Sequence, residues 1–123
     1  MKLHSERNEA LNTVTGYGAG WFEINRVRHQ GPLLLQPQGV VRTWPVSGFD
    51  ALTEHDFTAL LDLRPEVILF GSGPSHRFPN PRLTAALARA GVGIESMNST
   101  AACRTYNILM GEGRQVLAAL LPC

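Results

Sequence analysis

A chain of 123 residues, 44% hydrophobic and 17% charged, is long enough for one domain with a real core and too short for two. Eleven Lys and Arg against ten Asp and Glu leave a formal net charge of +1, which excludes the broad basic field that drives sequence-independent nucleic-acid binding. Two cysteines are too few for a disulfide scaffold, and the longest apolar run, Val116–Leu121, is far too short to span a bilayer.

The stretch Met1–Asn12 is polar and charged, with nothing resembling a signal peptide, so the expected compartment is a reducing cytoplasm. Up to about residue 45, short β-like runs alternate with turn residues. Thr13–Tyr17 ends at Gly18-Ala19-Gly20, and Trp21–Ile24 ends at Asn25. Leu33–Gln36 ends at Pro37-Gln38-Gly39, and Val40–Trp44 ends at Pro45. This spacing predicts antiparallel strands or hairpins.

Beyond residue 50 helix and strand signals alternate. Thr53 stands as an N-cap with Asp56 three residues on as a capping-box acid, Leu52 and Phe57 are placed as a hydrophobic staple, and Phe57, Leu60 and Leu61 make an apolar stripe that Pro65 closes. Val67–Phe70 reads as a buried strand running into Gly71-Ser72-Gly73. Asn80 and Pro81 open a helix that Gly91 ends, Val92–Met97 is the next strand, and Asn98 or Ser99 caps a helix to about Met110. Gln115–Leu121 is two-sided. Its alanines and leucines favour a helix, while its length and apolar continuity suit a buried strand, the preferred reading. The class is therefore α/β in one domain over residues 1–123, with a largely parallel sheet covered on both faces and the first 45 residues supplying antiparallel strands or a small second sheet.

Three constellations are candidates for chemistry. Gly71-Ser72-Gly73 lies at the carboxyl end of a strand, where open α/β sheets bind ligands. No helix N-terminus follows directly, however, as a phosphate loop requires, so a strand-to-loop turn needing positive φ is the preferred account of the glycines. Cys103 sits near the start of its helix, where a thiolate could be stabilised, but its neighbours Ala101, Ala102 and Tyr106 are those of a small core residue. The polar set Asn98, Ser99, Thr100, Thr105, Tyr106 and Asn107 either caps the helix and satisfies backbone groups or lines a pocket. If the two strands run parallel, Gly71, Ser72 and Gly73 come close to Asn98, Ser99 and Thr100, where unpaired helix N–H groups would favour an anion. His4, His29, His55 and His76 are scattered and there is no Cys-x-x-Cys, so neither a metal nor another cofactor is expected. No recognised catalytic set is present, which leaves enzymatic activity open.

Two motifs carry a resemblance. Val67-Ile68-Leu69-Phe70-Gly71-Ser72-Gly73-Pro74, followed by Phe78, is one. Gly93-Ile94-Glu95-Ser96-Met97-Asn98-Ser99-Thr100-Ala101-Ala102-Cys103-Arg104-Thr105-Tyr106-Asn107-Ile108-Leu109, closed by Glu112-Gly113-Arg114, is the other. Together with the order of elements they resemble a small family of mostly uncharacterised α/β proteins whose eukaryotic member is a mitochondrial assembly factor of respiratory complex I (NADH:ubiquinone oxidoreductase). The resemblance implies a three-layer fold with a mixed, largely parallel central sheet and a strand after Gly113. It also implies protein partners, respiratory complex subunits among them, and a non-catalytic binding or assembly role. It identifies no catalytic residue. The rival expectation is an enzyme or small anionic-ligand binder at the Gly71–Gly73 and Asn98–Thr100 loop ends.

Overall fold

The computed structural model describes residues 11–123, in which the chain builds two sheets. Val14–Gly18 (β1), Trp21–Ile24 (β2) and Val27–Gln30 (β3) form an antiparallel meander in sequence order. Leu33–Leu35 (β4) and Arg42–Thr43 (β5) join Val67–Ser72 (β6), Gly93–Met97 (β7) and Val116–Leu121 (β8) in a mixed sheet of order β5-β4-β8-β6-β7. β7, β6 and β8 run parallel, while β4 is antiparallel to β8 and β5 to β4. The antiparallel strands expected of the N-terminal part thus serve both purposes, three as a separate sheet and two as an extension of the central one. Lys2 and His4 lie outside the described residues.

The strand β3 has no apolar run to announce it, being Val-Arg-His-Gln. A tight turn produces it instead. Asn25 and Arg26 take left-handed φ of 51° and 70°, matching the twist of a two-residue hairpin. The Asn25 carboxamide steadies that turn by accepting from the Thr13 amide at 3.0 Å and donating to the Leu11 carbonyl at 3.1 Å. On the outer face of the meander, the Arg28 guanidinium lies 3.7 Å over the Trp21 ring, so a polar strand still makes a favourable contact.

Glu54–Thr58 (α1) begins with the capping box read from the sequence. The Asp56 amide donates to Thr53 Oγ1 at 3.3 Å and the Thr53 amide donates to Asp56 Oδ2 at 2.8 Å. The helix lasts only five residues before tightening into a 3-10 turn over Ala59–Leu63 and stopping at Arg64, whose φ of 55° precedes Pro65. Thr53→Ala should therefore lower stability by about 1 kcal/mol, seen as a lower midpoint at unchanged slope in chemical denaturation. An unmoved midpoint would show that the Asp56 half of the box suffices. Pro81–Arg89 (α2) starts under Asn80, whose side chain accepts from the Arg82 amide. Ser99–Gly111 (α3) starts under Asn98.

Alternation along β6 and β8 creates the layers. Val67, Leu69, Val116, Ala118 and Leu120 face one core together with Ala102, Cys103, Tyr106 and Met110 of α3 and with Phe22 and Ile24 of the meander. Ile68, Phe70, Leu117, Ala119 and Leu121 face a second core with Trp44, Phe57, Leu60 and Leu87. The central sheet therefore lies between α3 plus the meander on one side and α1, the 3-10 turn and α2 on the other. The two-sided segment Gln115–Leu121 resolves to a strand. Lying between β6 and β4, all six residues of β8 are buried, and that pairing outweighs their helical propensity.

Candidate functional site at the ends of the parallel strands

The parallel register places Gly71 opposite Met97 and Ser72 opposite Leu121, so the three strand ends open on the first turn of α3. Fully buried Ser99 ties them together. Its amide donates to the Gly73 carbonyl at 2.8 Å, its Oγ accepts from the Gly73 amide at 2.9 Å, and its hydroxyl donates in a short bond to the Leu121 carbonyl. Gly71 permits this approach. A Cβ there would lie 2.9 Å from Ser99 Oγ and from Leu120 Cδ2, and 3.1 Å from Ser99 Cα. Gly73 holds a φ of 103°, a region that a side chain would strain.

The six candidate residues are thus brought together, and most of their polar groups already have partners within the protein. Asn98 Oδ1 accepts from the Ala101 amide at 2.8 Å. Ser72 Oγ accepts from the Arg77 amide at 3.0 Å and donates to the Ser75 carbonyl at 2.7 Å, with the Met97 carbonyl at 3.1 Å. Thr100 Oγ1 lies 3.8 Å from Cys123 Sγ. Beside these residues a groove of about 240 Å³ is lined by Phe49, Gly73, Ser75, Arg77 and Pro122 among others. Its one guanidinium, Arg77, is engaged with Asp50 at 3.0 Å and stacks 3.8 Å over the Phe49 ring.

Cys103 is 1% exposed, and burial pushes its thiol up to about 12, with nearby Cys123 adding to the shift and Arg104 opposing it. Such a thiol carries no appreciable thiolate near neutrality. A maleimide reagent on the native protein should modify half-buried Cys123 readily and Cys103 slowly. Equal rates would contradict the burial of Cys103.

Tyr106 and Asn107 of α3 hold the entry to the meander, while Thr105 makes no such bond among the described residues. Tyr106, its phenol pushed up by burial, donates to the Asn12 carbonyl at 2.7 Å. Asn107 accepts from the Val14 amide and donates to the Val14 carbonyl, both at 2.9 Å, so a side chain takes the place of a neighbouring strand along the edge of β1 that pairs with no strand among the described residues. His29 lies on β3, His55 on α1 and His76 in the loop after β6. Among the described residues no group of three or more His, Cys, Asp or Glu is placed to hold a metal, and no helix is long and apolar enough to cross a membrane.

One surface was not singled out from the sequence. Phe78 is 75% exposed and lies against His76, ring centroids 4.5 Å apart and planes tilted by 47°, at the mouth of a groove of about 470 Å³. The groove runs along β7, an outer strand of the central sheet, and is lined by Phe78, Pro79, Pro81, Thr84, Ile94 and Ser96 among others. The available signal was Phe78 standing in a loop beside Pro79 and Pro81, with no apolar periodicity to bury it.

Comparison with known proteins places the chain in context. The family described as protein of unknown function (DUF498/DUF598) matches residues 14–121. The NADH dehydrogenase [ubiquinone] 1 alpha subcomplex assembly factor 3 of Bos taurus is 33% identical over 111 residues, which cover 89% of this chain and 60% of that protein. The chain thus spans under two-thirds of the bovine protein's length. An uncharacterised protein of Rhodobacter capsulatus is 38% identical over 89% of this chain and 83% of its own. A crystal structure of a Bordetella parapertussis protein superposes with a TM-score of 0.87 at 44% identity, covering 93% of this chain and 98% of that one.

Proposed function

This chain belongs to the DUF498/DUF598 protein family, and from that premise we propose that it is a non-catalytic protein-binding domain acting in the assembly of a larger complex, a respiratory complex in particular. The observation that carries this reading is the outer edge of β7, which pairs with no strand among the described residues, with Phe78 exposed beside it. The Met97 carbonyl turns inward to Ser72 Oγ, so strand alternation turns the backbone groups of Ile94 and Ser96 outward, away from β6. An extended segment of a partner adds to such an edge through main-chain hydrogen bonds, and the groove between Phe78 and Ile94 takes one of its apolar side chains. Phe78 is an aromatic of the kind that dominates interface energetics. Two further points favour protein binding over turnover. The hydroxyls of Ser72 and Ser99 already have protein partners, and relatives named as NADH dehydrogenase [ubiquinone] 1 alpha subcomplex assembly factor 3 match most of the chain.

The test is a quantitative pull-down from the source cell with wild-type, Phe78→Ala and Val40→Ala baits. Val40 is another exposed apolar residue and serves as the control. Respiratory-complex subunits recovered with the wild type should fall about tenfold with Phe78→Ala, as for an interface hot spot, and be unchanged with Val40→Ala. Equal recovery by all three baits would remove the β7 edge from the reading. Absence of any such subunit would remove the respiratory assignment.

A further inference from the structure

We propose that Cys103 and Cys123 form a reversible disulfide that latches the segment after β8 onto α3. Both are free thiols on the same side of the central sheet, Cys103 within the core and Cys123 packed against it. Cys123 Sγ lies 3.8 Å from Thr100 Oγ1. Thr100 and Cys103 are three residues apart on α3 and so are neighbours on its surface, about 5–6 Å between Cβ atoms. A helical side chain also leans toward the preceding turn, which carries the Cys103 sulfur toward Thr100 and hence toward Cys123. Cys123 also helps to raise the Cys103 thiol, as two thiols on one side of the sheet do.

The oxidant is a small-molecule disulfide. The Cys123 thiolate attacks one of its sulfurs, the reagent's S–S bond breaks, and one half leaves as a thiolate. Cys103 then gives up its proton and attacks Cys123 Sγ, the mixed disulfide breaks, and the second half leaves. The two cysteines lose two electrons and two protons, and the reagent ends as two thiols. Burial keeps Cys103 protonated, so the second step is the slower one, helped by the proximity of the two sulfurs. The bond closes a loop of about 20 residues. It fixes the chain immediately beyond Leu121, whose carbonyl Ser99 holds. In a reducing compartment such a bond is transient and responsive rather than structural.

The test treats the full native chain with oxidised glutathione and follows free thiols, intact mass and a peptide map. The expected result is transient glutathionylation of Cys123, then loss of both thiols, a mass lower by two hydrogens and a Cys103–Cys123 cross-linked peptide. The thermal midpoint should rise on the order of 5–10 °C and return on reduction with dithiothreitol. Cys103→Ala should arrest at the Cys123 adduct. Cys123→Ser, which leaves the core intact, should leave Cys103 unmodified over the same period. A stable wild-type adduct on Cys123 with Cys103 still free, or dimers joined through Cys123, would overturn the proposal. So would rapid modification of Cys103 in Cys123→Ser.

Discussion

Phe70→Ala is expected to cost about 3–5 kcal/mol, the range for truncating a fully buried aromatic. Phe70 stands on β6 with no exposure, its ring centroid 6.1 Å from Trp44, 5.6 Å from Phe57 and 6.1 Å from Phe49. The Trp44 and Phe57 rings meet it nearly edge-on, at interplanar angles of 84° and 75°, the arrangement that adds quadrupole attraction to burial. The void cannot close easily, because β6 is paired on both sides and its backbone is held in place. Set against a typical domain stability of about 5–15 kcal/mol, the loss approaches unfolding. Urea denaturation should show it as a large drop in midpoint, with Phe49→Ala, whose ring is only partly buried, falling less. A loss below about 1 kcal/mol for Phe70→Ala would mean that the aromatic cluster is not the structural centre of that core.

Ser99→Ala should be the most damaging small substitution, at about 2–4 kcal/mol. It removes one hydroxyl and leaves the Gly73 amide and the Leu121 carbonyl without their partner at a buried junction. Leaving such a group unsatisfied costs about 1–3 kcal/mol, which is why the loss exceeds that of a surface hydrogen bond. Gly71→Ala should also destabilise, by about 1–3 kcal/mol through overpacking. The two are coupled. With Oγ absent, the Cβ of Gly71→Ala meets one obstacle fewer, and the double variant should be less unstable than the sum of the singles. Strict additivity in denaturation experiments would show that Leu120 and the Ser99 backbone, not the hydroxyl, set the limit on residue 71.

What could be read in advance was local. The capping box at Thr53, the Asn80–Pro81 helix start and the Asn98 cap depend on residues two or three apart, so spacing alone reveals them. The buried strands β6 and β8 were visible as apolar runs. The meander's third strand was not, because its pairing is imposed by the Asn25–Arg26 turn rather than by hydrophobic residues. At the candidate site, Gly71–Gly73 and Asn98–Thr100 were legible as neighbours once parallel strands were inferred. The direct pairing of Ser99 with Gly73 was not, nor was the third bond of Ser99, to the Leu121 carbonyl of a strand distant in sequence. That Tyr106 and Asn107 satisfy backbone groups was legible as one reading of the polar set, but which groups they reach was not, their partners lying 94 and 93 residues away in sequence. Phe78 was visible as a residue but not as a surface, because the groove beside it exists only when β7 reaches the outside of the sheet.

The position of β8 matters most while the protein is being made. It sits between β4 and β6, yet it is the last of the described strands to leave the ribosome. Until residues 116–121 emerge, the slot they fill is empty. The inner edge of β6 then lacks its partner, and Leu33–Leu35 has nothing to pair with on that side. Both cores stay open, because β8 contributes Val116, Ala118 and Leu120 to one and Leu117, Ala119 and Leu121 to the other. At about 5–20 residues per second, a nascent chain carries these unpaired edges for several seconds, a window in which strand-to-strand aggregation or chaperone capture competes with folding. A ribosome-stalled chain ending before Val116 should therefore be protease-sensitive throughout, and lengthening it with a linker until residues 116–121 have left the ribosome should confer protection in a single step.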